Sequence, residues 1–300
     1  MLKTDSFLEY LKFERNYSDR TVTEYRTDLR EFDEFLKETY HEELSPKEVS
    51  TEQIREWIMA LMDQKMAASS VNRKLSALRS FYRFLLKKGE LTVDPTRKIT
   101  GPKKNKPLPV FLKESDMDKV LDELDYGDSY EGRRDRLILQ MFYETGMRRA
   151  ELIGLDDKDI DLGAGVIRVT GKRNKQRLIP FGEELRRAIV EYVGNRDKAV
   201  PVHSEAFFVR KNGERLYPNL VGLIVKKHLS KVVTVKKKSP HVLRHTFATT
   251  MLNHHAGLKS IQELLGHQSL KTTEIYTHTT FEELKQVYNQ AHPRAEEKRR

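Results

Sequence analysis

A mainly α-helical fold with one small β-hairpin, an α+β class built in two parts, follows from three features of the sequence. Residues 1–98 repeat apolar side chains at helical spacing and contain no strand-like run. Residues 99–110, ITGPKKNKPLPV, break that pattern with three prolines, one glycine and three lysines, as a semi-stiff basic linker does. Beyond it, residues 111–300 read as helices around two short β-type runs that flank a basic GKRNKQ turn. A length of 300 residues suits two domains better than one.

Four helices are expected in residues 1–98. The first carries Phe7, Leu8 and Leu11. The second opens at Ser18, a good N-cap, and lines up Tyr25, Leu29, Phe32, Phe35 and Leu36. Ser50 and Gln53 form a capping box for the third, which runs through Trp57, Ile58 and Leu61. The fourth, Ser69 to Lys88, ends at Gly89 and is apolar along Val71, Leu75, Leu78, Phe81, Tyr82 and Leu85. Arg73, Arg79, Arg83 and Lys87 lie away from most of that face. They read either as contacts to phosphates and guanine edges in a DNA groove or as ordinary solvated charges.

In the second part Glu114–Leu124 and Gly132–Glu144 are helical in pattern. Ala164–Thr170 and Gln176–Pro180 form the hairpin, and helical patterns return from Glu183 onward. Phe281, Leu284, Val287 and Tyr288 make an apolar stripe on a short terminal helix at about 280–290.

Composition narrows the function. No cysteine is present, which excludes disulfides, a thiol nucleophile and cysteine-based zinc sites, and fits a reducing cytosol. Hydrophobic residues make up 38% and charged residues 33%, with no apolar run of bilayer length, so a soluble protein without membrane insertion is expected. The N-terminus reads as the start of a helix, so no signal peptide is expected. Fifty-five basic against 45 acidic side chains give a net charge of +10. The excess is uneven: residues 1–64 hold 9 basic and 16 acidic groups, residues 65–98 hold 9 and 2, and residues 99–300 hold 37 and 27. A basic surface in each part fits a polyanionic partner, although basic solvated helices are also common.

The densest chemical information lies at residues 239–278. Ser239 reads as an N-cap and Pro240 as the first helical residue. His241 and Arg244 then share the first helical turn. Free N–H groups at a helix start, with an arginine beside them, suit a phosphate, and a nearby tyrosine could attack it. Histidines 241, 245, 254 and 255 do not read as a zinc site, because the glutamate of a zinc-protease motif is missing. His245 reads as a support of the fold.

Five motifs occur in order: Thr145-Gly-Met-Arg148-Arg-Ala-Glu151-Leu, Gly171-Lys172-Arg-Asn-Lys, His241-Val-Leu-Arg244-His245, Gly266-His267 and Tyr276. Together they resemble the signature of the tyrosine site-specific recombinases. The helical first part resembles that family's core-binding domain, and the two domains would close as a clamp around DNA. The resemblance implies Tyr276 as nucleophile, leaving a 3′-phosphotyrosyl link and a free 5′-hydroxyl. It implies Arg148 and Arg244 on the non-bridging oxygens and Lys172 as the proton donor to the leaving oxygen. His241 would accept the tyrosine proton, His267 would bond the phosphate, and Glu151 would orient its neighbours. No metal, cofactor or ATP is implied. Arg173 and Lys175 read as phosphate contacts or solvated loop charges. Arg149 and Arg173 depart from the commonest family pattern without removing a catalytic group.

The AHPRA stretch at residues 291–295 and the overall length resemble the Xer branch of bacteria, which resolves chromosome dimers at a short palindromic terminus site. That likeness implies double-stranded DNA as substrate and a tetrameric synapse of this chain with itself or a paralogous Xer subunit. The terminal helix would be donated between protomers. A division-septum DNA translocase of the FtsK type would activate the complex, in the cytoplasm and on the nucleoid. An integrase or resolvase of a mobile element, a type IB topoisomerase and a non-catalytic DNA-binding regulator are the competing readings.

Overall fold

Serine caps open two of the first helices where the sequence predicts them. The computed structural model describes residues 4–103, 110–171, 174–201, 204–266 and 278–295. The chain divides into two compact units, Met1–Pro107 and Leu108–Arg300.

In the first unit, α1 (Asp5–Glu9) continues through one π-helical turn, Tyr10–Glu14, and is followed by α2 (Asp19–Tyr40), α3 (Thr51–Asp63) and α4 (Ala68–Lys87). The Ser18 hydroxyl accepts from Thr21 N–H at 3.3 Å. Ser50 and Gln53 exchange both bonds of the capping box, at 3.2 and 2.8 Å. Phe7, Leu29, Phe32, Trp57, Leu75, Leu78 and Phe81 fill the core between the helices. Phe32 packs on Trp57 with ring centroids 4.7 Å apart.

A charged cluster enters this core. Lys74 is buried on α4 and donates to Asp28 of α2 at 3.2 Å and to Glu31, while Arg73 also reaches Asp28. Burial pushes the Asp28 carboxyl up, and the two cations only partly offset it.

In the second unit, α5 (Glu114–Asp118) runs into a π turn, Lys119–Glu123, before α6 (Tyr130–Thr145) and α7 (Arg149–Gly154). Three strands follow, β1 (Ile160–Asp161), β2 (Val166–Thr170) and β3 (Gln176–Pro180), antiparallel in the order β1-β2-β3. Thr170 pairs with Gln176 and Val166 with Pro180. The hairpin is therefore as expected, with β1 added at its edge. Two residues are too short to show a strand period. Ala164 and Gly165 fall in the β1–β2 turn instead of the strand, because Gly165 takes φ +68° and Ala164 N–H donates to Asp161 at 2.8 Å.

The remaining helices are α8 (Glu183–Ala199), α9 (Pro218–Val232), α10 (Pro240–Asn253), α11 (Leu258–Leu265) and α12 (His278–Ala291). Between α8 and α9 the helical pattern gives way to isolated strand bridges, Asp156 to Ala206 and Val209 to Arg215. α6 is the central helix, with Leu137, Ile138, Met141 and Phe142 buried against residues of β2, α8, α9 and α10.

α12 packs on its own unit. Leu284, Tyr288 and Ala291 join Phe247, Met251, Leu264 and Leu265 in one cluster. Just beyond, His292 stacks on Tyr288, and the buried Arg294 is held by Asp118, Asp122 and Glu184. Among the described residues no helix is long and apolar enough to cross a membrane.

Candidate active site

Three arginines converge on the last turn of one short helix. α11 ends at Gly266, whose φ of +63° closes the helix in the left-handed region and leaves the final carbonyls without helical partners. Leu264 carbonyl accepts from Arg177 Nε at 2.9 Å, Leu265 carbonyl from Arg244 Nη2 at 2.7 Å, and Gly266 carbonyl from Arg148 Nη2 at 3.0 Å. A helix C-terminus carries partial negative charge, so it suits guanidinium groups that would otherwise repel one another. Consecutive carbonyls bring Arg148 and Arg244 side by side.

The second support of Arg244 is also a helix end. Gly146 closes α6 at φ +58°, and its carbonyl accepts from Arg244 Nη1 at 2.7 Å. A methyl group on Gly146 would lie 2.5 Å from Phe247 and 2.8 Å from Leu265, so that backbone turn admits only glycine. Arg244 itself is buried on α10. Burial lowers its pKa, and the charge of Arg148 adds to this, to about 10. It stays charged at neutral pH.

Arg148 stands at the N-cap of α7. Glu151, at the third helical position, accepts from the Arg148 backbone N–H at 2.7 Å and from Arg148 Nη1 at 2.8 Å. Arg177 of β3 holds the same carboxylate through two bonds of 2.7 and 3.0 Å. Burial pushes the Glu151 carboxyl up, but Arg177 and Arg148 outweigh it and bring it to about 2. Glu151 is thus a carboxylate at any working pH.

His241 is exposed on the first turn of α10, while Arg244, three residues on, turns inward. The His241 ring meets His245 edge-on at 4.6 Å. Partial burial, His245 and Arg244 lower its pKa, so its imidazole is neutral and can accept a proton near pH 7. Ser239 precedes α10 as expected, but its hydroxyl makes no capping bond. Val242 N–H bonds to the Ser239 carbonyl instead, at 2.9 Å. Arg149 donates to the Pro218 carbonyl and so joins α7 to the start of α9.

The structure therefore brings Arg148, Glu151 and Arg244 together, with His241 on the same helix as Arg244. Lys172, Arg173, His267 and Tyr276 lie outside the described residues. Lys175 is exposed in the hairpin loop, and its carbonyl closes the loop by accepting from Gly171 N–H at 2.7 Å. On α4, Arg83 is exposed and has no hydrogen bond or ion pair among the described residues. Arg73 is committed to Asp28 and Arg79 to the Ile99 carbonyl. Sequence reasoning missed Arg177. A signal existed: strand alternation puts Arg177 on the same face as Ile179, which is buried, and a cation on a core-facing side calls for a carboxylate.

The pattern of the phage integrase family matches residues 110–283, and that of the phage integrase N-terminal SAM-like domain matches residues 4–89. The tyrosine recombinase XerC of Chlorobaculum tepidum is 40% identical, over 96% of this chain and 94% of its own. That of Oceanobacillus iheyensis is 39% identical, over 98% and 97%.

The chain belongs to the phage integrase family, as a Xer-type tyrosine recombinase. It is a DNA strand-exchange enzyme. The recombinase shares its fold with the XerH site-specific recombinase bound to a palindromic difH substrate in a post-cleavage complex. There the TM-score is 0.71 at 24% identity, over 95% of this chain and 84% of the other. A λ integrase dimer bound to a COC′ core site has the same fold, with a TM-score of 0.69 at 17% identity over 91% and 97%.

Proposed function

We propose that this recombinase cuts and rejoins DNA through a 3′-phosphotyrosyl intermediate on Tyr276, at a short palindromic site near the chromosome terminus. There it would resolve chromosome dimers during cell division. The pair of guanidiniums held on the end of α11, Arg148 and Arg244, is the observation that carries this reading. Side by side they suit the two non-bridging oxygens of one phosphodiester and the negative charge that grows on them in the transition state.

In this mechanism the Tyr276 hydroxyl attacks phosphorus as its proton passes to neutral His241. The bond from phosphorus to the 5′-oxygen breaks, and Lys172 gives that oxygen a proton. His267 bonds the phosphate, and Glu151 orients Arg148. One phosphodiester replaces another, so no ATP is consumed. The 5′-hydroxyl of a different strand then attacks phosphorus and releases Tyr276, which completes strand exchange. The charge that a metal ion would supply comes from side chains.

Residues 1–98 act as the core-binding domain, 99–110 as the linker and 111–300 as the catalytic domain. Of the α4 arginines, Arg83 contacts the duplex, while Arg73 and Arg79 are engaged by Asp28 and the Ile99 carbonyl, and Arg173 and Lys175 contact phosphates from the hairpin loop. The partners are double-stranded DNA, a second copy or a paralogous Xer subunit in a tetramer, and an FtsK-type translocase. The terminal helix at about 280–290 packs on its own unit here, and in that assembly it would leave that packing and be donated to the neighbouring protomer. The protein works in the cytoplasm, on the nucleoid.

Covalent trapping tests this reading. Wild type and Tyr276→Phe are incubated with nicked suicide DNA carrying a terminus site, without magnesium, and resolved on a denaturing gel. A shifted band in wild type alone is expected. The same band from Tyr276→Phe overturns the nucleophile. Absence of the band in wild type on every candidate terminus site, with or without a paralogue, overturns strand cleavage there.

A further inference from the structure

Glu151 is shared evenly. Each of its oxygens accepts one bond from Arg148 and one from Arg177: Oε1 from Arg148 Nη1 at 2.8 Å and Arg177 Nη1 at 2.7 Å, Oε2 from the Arg148 backbone at 2.7 Å and Arg177 Nη2 at 3.0 Å. The Glu151 side chain is 2% exposed and that of Arg177 10%, so this is an almost dry ion pair with geometry fixed at both ends. Arg177 is held on its other edge by the Leu264 carbonyl, and a methyl on Gly266 would touch its guanidinium at 3.2 Å. By contrast the Arg148 side chain is 41% exposed, with a single bond to Glu151 and a single bond to Gly266 from its guanidinium.

Charge and geometry give these two arginines different tasks. A buried carboxylate draws in whatever cation is within reach, and a planar guanidinium meets it most strongly as a two-bond fork. Arg177 occupies the fork position. Arg148 is left with one side-chain bond to the carboxylate, and its second terminal nitrogen faces the α11 carbonyl next to Arg244. We infer that Arg177 is a positioning residue for strand cleavage: it engages Glu151 as the resident counter-ion, so that Arg148 is kept out of a closed pair and presented, beside Arg244, to the scissile phosphate. The inference rests on the strand-cleavage reading above. It assigns Arg177 no contact with DNA.

Without the Arg177 fork, Arg148 turns toward Glu151 and forms the fork itself, and the phosphate loses one of its two guanidiniums. Displacement of a charge-stabilising group by about an ångström lowers a rate by roughly a hundredfold. The test is Arg177→Met, which keeps the stem and removes the fork, followed by single-turnover cleavage of suicide DNA. Melting temperature and duplex binding are measured on the same preparations. Cleavage by R177M is expected to fall about tenfold to a hundredfold with binding little changed.

The decisive variant is R177M combined with Glu151→Gln. Loss of the carboxylate charge removes the reason for Arg148 to turn away, so the double variant should cleave at least about fivefold faster than R177M, a recovery that mere loosening of the hairpin would not give. A double variant no faster than R177M overturns the inference, and so does R177M cleaving at the wild-type rate. If R177M melts below the assay temperature, Arg177→Lys with and without E151Q gives the same comparison. Wild type runs in every gel, so a missing covalent band there overturns the cleavage reading, whereas equal bands in wild type and variant overturn only the role of Arg177.

Discussion

Arg148 and Arg244 must stand together although their charges repel, and the solution is made of backbone. Carbonyls at the ends of α6 and α11 accept from both guanidiniums, so two glycines in left-handed turns set the electrostatics of a site in which neither has a side chain. The sequence motifs named Gly146 and Gly266 but gave no reason for them, because the arginines they hold lie 98 and 118 residues away along the chain. Helical spacing pointed to His241 and Arg244, and the family resemblance to Arg148 and Glu151. Arg177 was not, since its partner Glu151 is 26 residues distant and no local pattern links them. One pH effect belongs to this scale. His241 has its pKa lowered by partial burial and by the neighbouring His245 and Arg244, so the neutral base persists below the ordinary imidazole value of about 6.5. Cleavage rates measured from pH 5 to 8 should stay level down to below that value and fall only as His241 protonates. Replacing His245 by Gln removes one cause of the shift, and the acid limb should then move to higher pH.

α11 has only eight residues, yet its final turn receives Arg148, Arg177 and Arg244 from three other elements. Helix ends were well predicted where a side chain or glycine marks them, as at Ser18, Ser50 and Gly89. The π turns after α1 and α5 and the two-residue β1 leave no period long enough to read. The buried pair between α2 and α4 escaped for a different reason. Lys74 stands in a run of exposed-looking basic residues, and only packing against Asp28 draws it inside. Its removal leaves the buried Asp28 carboxylate with Arg73 as its remaining cation. Lys74→Met should lower stability by about 1–3 kcal/mol, read from denaturant unfolding, whereas Asp28→Leu with Lys74→Met should recover most of the loss. A double variant as unstable as the single one would mean that the charges do more than balance each other.

Across the whole molecule the uneven charge seen in the sequence has a more specific meaning once partners are known. Of the α4 arginines, Arg73 and Arg79 are engaged within the first unit, and Arg83 stands exposed without a partner among the described residues. Arg83→Ala should weaken duplex binding and reduce the slope of log affinity against log salt by about one, while Arg79→Ala should change that slope less. Equal slopes for wild type and Arg83→Ala would remove α4 from the phosphate contacts. The convergence of three guanidiniums on α11 bears also on the making of the enzyme. Arg148, Arg177 and Arg244 are synthesised in that order, and the carbonyls that assemble them belong to residues 264–266, later than all three. A ribosome must pass residue 266 before the arginines can be gathered, and a chain broken off earlier lacks the carbonyls that hold them. Until α11 has been made, the three guanidiniums have no common anchor, so like charges that the finished fold holds together are free to stay apart.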